Sequence, residues 1–185
     1  RSTLDRSSAA SDVYKRQCYA MRIEDLFDLY AYNSWANDRV RTSIKILTED
    51  AFKEDLGGSF GSIQGTITHL VSAQWAWLKR WQGNSPNQSL QKDQFSTPKE
   101  GNSLWMEVDI DLTNFVKGLD NKKIQEIVSY ETLEGKKLSN FLWQAMLHLL
   151  NHSTYHRGQI AILLRQVQAK PKSTDLIRYY WEKSE

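Results

Sequence analysis

His148-Leu149-Leu150-Asn151-His152-Ser153-Thr154-Tyr155-His156-Arg157-Gly158-Gln159 carries three of the chain's four histidines within what reads as one unbroken helix. Residues four apart on a helix stack one turn above the other. His152 and His156 can therefore aim two imidazoles at one point. The remaining histidine, His69, sits far upstream in a second helical pattern and can supply a third ring from a facing helix. Such a set binds a divalent metal and leaves coordination positions open.

The helix holding this stretch is expected to start from a Ser139 cap and to run to about Gln168, with Lys170-Pro171 beyond it. It carries two apolar stripes. One contains Leu142, Met146, Leu149, Ser153, Ile160, Leu164 and Val167; the other contains Phe141, Ala145, His148, His152, His156, Gln159 and Leu163. It should be the most buried helix. Upstream, Lys123 to Leu138 is different in kind: Ile124 to Tyr130 is short and β-rich, and Glu134-Gly135 supplies a turn, which predicts a small hairpin or extended crossover.

Three further helices precede the crossover. The first runs from about Arg22 to Leu47, with Ile23, Phe27, Tyr30 and Ile44 on its apolar face. A second spans about Ser62 to Gln82 through Ile63, Ile67, Leu70, Gln74, Trp77 and Trp81. A polar loop, Asn84 to Pro98, leads to a third at about Gly101 to Leu119. A short last helix, Thr174 to Lys183, is expected to dock through Leu176, Ile177, Tyr180 and Trp181. The fold class is therefore all-α: a four-helix bundle with a small extended or β-hairpin crossover before the last long helix, and a short C-terminal helix. Bundles of this kind build metal sites from side chains on facing helices.

Composition narrows the function classes. With 185 residues and 40% hydrophobic content, the chain suffices for one well-cored domain, read as residues 21–185. Residues 1–20 look foreign to it. They are rich in Ser, Arg and Asp, lack an apolar signal region, and include a run, Ser7 to Gln17, that resembles translated adapter sequence. A disordered, non-native leader before Met21 is expected. The leader holds four basic and two acidic residues, which accounts for the whole net charge of +2 and leaves residues 21–185 neutral. No net field favours nucleic acid, and no apolar run approaches the ~20 residues of a membrane helix. The single cysteine, Cys18, also falls in the leader. The body thus has neither a disulfide nor a cysteine nucleophile, and a reducing cytoplasm fits.

A helical pair of histidines is by itself as consistent with packing as with metal. Here the pair lies on an apolar stripe of a buried helix, where unpaired imidazoles are costly. Three histidines match open catalytic sites, not closed structural ones. Zinc or nickel suits the ligands, and iron and manganese are compatible with them. Ligating imidazoles must be neutral, so affinity is expected to fall below about pH 6. Ser153 stands where a metallopeptidase would carry Glu, which argues against peptidase chemistry. His148 continues the row one turn earlier, beside the ligands or in the core, and Gln159 continues it on the other side. Asn33 and Asn37 either line the pocket or bond to loops. Arg157 and Tyr155 point off the stripe as packing or surface groups, and Trp35, Trp75, Trp77, Trp81 and Trp143 are expected first of all in the core.

Several segments together resemble the DinB/YfiT-like family, the DinB superfamily of metal-dependent enzymes. They are Tyr32-Asn33-Ser34-Trp35-Ala36-Asn37, Thr68-His69-Leu70-Val71-Ser72-Ala73, the histidine block quoted above and Asp175-Leu176-Ile177-Arg178-Tyr179-Tyr180. The likeness covers about Met21 to Lys183. It implies a four-helix bundle, commonly homodimeric, with its metal ligands at His69, His152 and His156. Relatives include bacillithiol-using thiol S-transferases and mycothiol-dependent isomerases. The family's name describes gene regulation and does not imply DNA binding. The expectation is a cytoplasmic metal-dependent enzyme acting on a small molecule, with a low-molecular-weight thiol as co-substrate or, alternatively, with water in a hydrolysis. His148, Gln159 and Asn37 would support the ligands. The competing reading is a metal-stabilised binding or stress-response protein without turnover.

Overall fold

Apolar positions at helical spacing close into four long helices in the computed structural model, which describes residues 21–91 and 94–184. The elements are α1 (Ile23–Ile44), α2 (Glu49–Lys53), α3 (Ile63–Trp81), α4 (Pro98–Lys117), a 3-10 turn (Lys123–Gln125), β1 (Ile127–Glu131), β2 (Lys137–Phe141), α5 (Leu142–Gln166) and α6 (Leu176–Lys183). α1, α3, α4 and α5 form the bundle, and β1 and β2 pair antiparallel as the crossover hairpin. The leader expected over residues 1–20, with Cys18, lies outside the described residues.

Local chemistry sets most helix starts. Ser62 Oγ accepts from Gly65 N at 3.0 Å to open α3. Thr97 and Glu100 form a reciprocal capping box ahead of α4, whose first residue, Pro98, has no N–H to satisfy. Helix boundaries differ from the sequence expectation in several places; α4, for one, begins at Pro98, within the expected loop, and not at about Gly101. α1 stops at Ile44, short of Leu47, because Thr48 caps the unforeseen helix α2 by accepting from Ala51 N at 3.3 Å. Ser139 is not the cap of α5. It sits in β2 opposite Ser129, and the ladder continues through Asn140 and Phe141 directly into the helix. Gln144 Oε1 takes the cap role, accepting from Phe141 N at 3.2 Å.

α6 docks through Tyr179, which is 8% exposed, whereas Ile177 and Trp181 are 54% and 63% exposed. Tyr179 packs edge-on against Tyr32 and Trp35 of α1. Among the tryptophans the fully buried one is Trp105, which the sequence reading passed over. Trp35, Trp75, Trp77 and Trp143 are only partly buried.

The core is split. One apolar cluster, around Leu26, Tyr30, Trp81, Leu112, Met146 and Leu149, lies toward the hairpin end. The other, around Ile44, Phe52, Ile67, Leu70, Trp105 and Leu164, lies toward α2. Between them each bundle helix contributes buried polar side chains: Asn33 and Asn37 from α1, Gln74 from α3, Asp109 from α4, and Ser153 and Arg157 from α5. The histidines occupy this middle level.

Gly101 shows how tightly the α2 end is packed. Its place in the first turns of α4 would ordinarily make Ala better by about 1 kcal/mol. A Cβ there, however, would stand 2.8 Å from two carbons of the buried Phe95 ring, which itself packs on Phe52 at 6.2 Å between centroids. Overpacking costs ~1–3 kcal/mol. Gly101→Ala should therefore lower the urea unfolding midpoint, and a raised midpoint would show that the Phe95 ring yields freely.

Candidate metal centre

His69 projects from the middle of α3, and His152 and His156 project from successive turns of α5. Their rings meet in a triangle with centroid separations of 4.3 Å for His152–His156, 4.5 Å for His69–His156 and 5.1 Å for His69–His152. One ring nitrogen from each lies within 4.8 Å of the other two. Nitrogens sharing a tetrahedral zinc ion at its usual bond length stand about 3.4 Å apart. Ring rotations of about an ångström close that gap, so the three histidines can hold a metal ion.

Donor chemistry supports the fit. His156 Nδ1 lies 2.7 Å from Gln159 Oε1. An amide oxygen only accepts, so Nδ1 carries the proton and the lone pair is left on Nε2. His152 Nε2 is buried and has no hydrogen-bond partner among the described residues. Leaving such an atom unsatisfied costs about 1–3 kcal/mol, and a cation held by the three rings would supply a partner.

Burial also sets the protonation state. It lowers the His69 and His152 pKa values to about 4, and the neighbouring His156 pushes each the same way. His156 is lowered by burial too, with its Gln159 bond acting in the opposite sense. The three rings are neutral at pH 7. Competition by protons for the His69 and His152 sites accordingly sets in nearer pH 4 than the pH 6 expected of isolated histidines.

Other elements brace the triad. Trp105 Nε1 donates to Gln74 Oε1 at 3.1 Å, and Gln74 Nε2 donates to Ser153 Oγ at 3.2 Å, which ties α4 to α3 and α3 to α5 beside His152. Phe60, from the loop before α3, stacks on His69 at 4.1 Å between centroids and meets His156 edge-on at 5.6 Å. The loop adopts this path through three glycines at positive φ: Gly57, Gly58 and Gly61. Phe60 was missed in the sequence. Its only signal is a single aromatic enclosed in the glycine-rich run Gly57-Gly58-Ser59-Phe60-Gly61.

The remaining sequence candidates separate into distinct places. Gln159 is at the triad. His148 is exposed, packs against Trp77 at 5.2 Å between centroids, and touches only the outer side of His152, at 5.8 Å. It lines a pocket of about 230 Å³ with Trp77, Tyr130 and Gln144. The Asn37 amide is committed elsewhere: Nδ2 donates to Asp109 Oδ1 at 2.9 Å, and Oδ1 accepts from Arg157 at 3.0 Å. Asn33 Oδ1 likewise accepts from Arg157 at 2.6 Å, so neither asparagine serves a loop. Tyr155 is exposed, whereas Arg157 is 1% exposed and is a core cation, not a surface group.

Comparison with known proteins agrees with the geometry. Residues 21–185 match the model of the DinB family. The protein DinB of Bacillus subtilis (strain 168) is 24% identical over 154 residues, covering 80% of this chain and 90% of its own. YizA, from the same organism, is 22% identical over 153 residues, covering 82% and 94%. A crystal structure of a DinB-like protein from Bacillus cereus ATCC 10987 superposes with a TM-score of 0.63 at 16% identity, covering 83% of this chain and 98% of that one.

The depressed histidines make the metal-free protein acid-sensitive. Unfolded, His69 and His152 titrate near 6.5; folded, they titrate near 4. Between those values the unfolded state binds more protons, so stability falls as pH is lowered through that window. Urea midpoints of metal-free protein should drop from pH 7 to pH 4.5. The double variant His69→Gln, His152→Gln should flatten the drop, and an unchanged slope in that variant would show that the two rings do not cause it.

Proposed function

The chain belongs to the DinB family, and from that premise we propose that it is a metal-dependent enzyme whose His69, His152 and His156 hold one divalent ion. The observation that carries this reading is the buried, unpartnered Nε2 of His152 inside a cluster of three neutral imidazoles. Zinc or nickel is the preferred occupant, since both suit imidazole, with iron or manganese compatible. With three protein ligands, such an ion keeps a position open and would lower the pKa of a bound water or thiol toward neutrality.

The chain's own residues set the stage for that chemistry. Gln159 holds His156 in one tautomer and one orientation. Phe60 covers a face of His69 and keeps water from it. Ser153 occupies the position after His152, and its hydroxyl accepts from Gln74. No general base projects from there, which supports a reaction outside peptide hydrolysis. Residues 21–185 contain no cysteine, so a reacting thiol at the triad would come from outside that segment, most simply from a substrate. Transfer of a low-molecular-weight thiol to an electrophile is the preferred reaction, and hydrolysis by activated water is its neighbour, separable by turnover without added thiol. We place the enzyme in the cytoplasm as a homodimer, following the family resemblance. Among the described residues no helix is long and apolar enough to cross a membrane.

Metal content of the purified chain, measured by inductively coupled plasma mass spectrometry, tests the proposal. Wild type should carry about one ion per chain. His69→Ala and His152→Ala should lose it while keeping the helical circular dichroism, because the two apolar clusters do not use these rings. Gln159→Ala should bind the metal about 10–100-fold more weakly. A wild type left empty after incubation with zinc, nickel and manganese would sink the reading, as would thiol-transfer activity that survives chelation.

A further inference from the structure

The loop that carries Phe60 does more than cover His69. Between this loop and α5 lies a pocket of about 210 Å³, lined on its apolar side by Leu56, Phe60, Ile162 and Leu163 and on its polar side chiefly by Gln159 and Gln166. Drug-sized ligands occupy ~300–1,000 Å³, so this space takes a fragment-sized group. None of its lining side chains is charged. An ionised ligand would lose hydration there without gaining a counter-charge from the pocket walls. Ile162, 58% exposed at the rim, offers an apolar surface that a ligand body can cover.

Gln159 belongs to both the triad and the pocket. Its Oε1 is spent on His156 Nδ1, which leaves the amide NH2, with two donors, as the group it can offer. The Thr66 hydroxyl, also on the lining, is already donating to Ser62 O at 2.9 Å. The Thr66 oxygen can still accept, and the donor that the wall next to the triad offers a ligand is the Gln159 amide. We infer that this pocket binds a small, uncharged substrate with an apolar body and a carbonyl oxygen, the body lying between Phe60 and Ile162 and the oxygen accepting from Gln159 Nε2. Such a carbonyl stands two hydrogen bonds from His156. The inference deepens the metal-enzyme reading by naming its electrophile. It rests on that reading for the chemistry but not for the binding.

The test titrates zinc-incubated full-length chain with acetanilide, which joins a neutral carbonyl to an apolar ring, and follows the amide resonances by 1H–15N NMR. Phenylacetate, of like size but anionic, is run in parallel on metal-free chain, where no bound cation can attract it, and metal content is measured on every sample. Acetanilide should shift the Gly57, Gly58 and Gln159 side-chain signals saturably, and phenylacetate should not. Ile162→Trp, which crowds the rim, should abolish the shifts with metal content unchanged. Gln159→Leu should weaken acetanilide by about tenfold, the worth of one hydrogen bond. Binding of phenylacetate as tightly as acetanilide, or acetanilide shifts that Ile162→Trp leaves intact, would overturn the inference, as would metal-loaded wild type that ignores acetanilide. Wild type that takes up no metal yet binds acetanilide would overturn the metal reading and leave the pocket assignment standing.

Discussion

Arg157 is a cation closed inside the bundle, and satisfying it constrains every helix around it. Removing such an ion from water costs several kcal/mol unless nearby dipoles and charges compensate. Here the guanidinium donates to Asn33 and Asn37 on α1 and to Thr154 on its own helix. Asn37 in turn donates to Asp109 on α4, which also pairs with Arg41 at 3.4 Å. A parallel chain from Trp105 through Gln74 to Ser153 ties α4, α3 and α5 at the same level. Sliding α5 by one turn would put Arg157 into an apolar cluster and leave Asp109 with an unfilled neighbour. The register of the bundle is thus set by its polar layer, while the two apolar clusters supply most of the burial. Successive helical residues lie about 100° apart, so the register that turns Ser153 and Arg157 into the interior also turns His152 and His156 toward His69.

The sequence made the four long helices and the triad legible for one reason: both follow from spacing along single helices. The His148–His152–His156–Gln159 row needs no tertiary information, and His69 was the only histidine left to complete it. The polar layer was opaque because its partners lie far apart in sequence. Arg157 reads as a packing or surface group, with nothing to decide between them, until Asn33, Asn37 and Asp109 are folded around it. Trp105 was missed for a similar reason, since its importance lies in a hydrogen bond to Gln74 on another helix. Ser139 misled because a serine ahead of an apolar run is a common cap signal. Strand pairing to Ser129 overrode that local preference, and a glutamine three residues into the helix did the capping. At the C-terminal helix, helical periodicity suggested four docking residues, but the sequence held no information on which face α1 would present, and Tyr179 took the contact.

The histidine row has two different ends. At the Gln159 end, an amide fixes one imidazole and faces a neutral pocket. At the His148 end, the ring leans on Trp77, which the Arg80 guanidinium also covers at 5.0 Å. Burial and the charge of Arg80 both lower the His148 pKa. His148 thus resembles the triad members in being held neutral, yet it stands outside the reach of a common ion. One helix cannot converge three successive turns on a single point, and the structure resolves the competition by giving the inner two turns to His69.

A ligand set of three neutral imidazoles also bears on what can bind opposite it. Carboxylate ligands would offset part of a divalent charge, and here none is present: Asp109 is the only buried carboxylate among the described residues, and it is engaged by Arg41 and Asn37. An ion at the triad would retain its full charge in a half-buried setting, one residue along α5 from the enclosed Arg157. The open position would therefore favour an anionic fourth ligand, a thiolate or a hydroxide, over a neutral one. A thiolate is the softer of the two and suits zinc and nickel. With no cysteine in residues 21–185 to fill that position from within, a thiolate there would have to come from outside that segment.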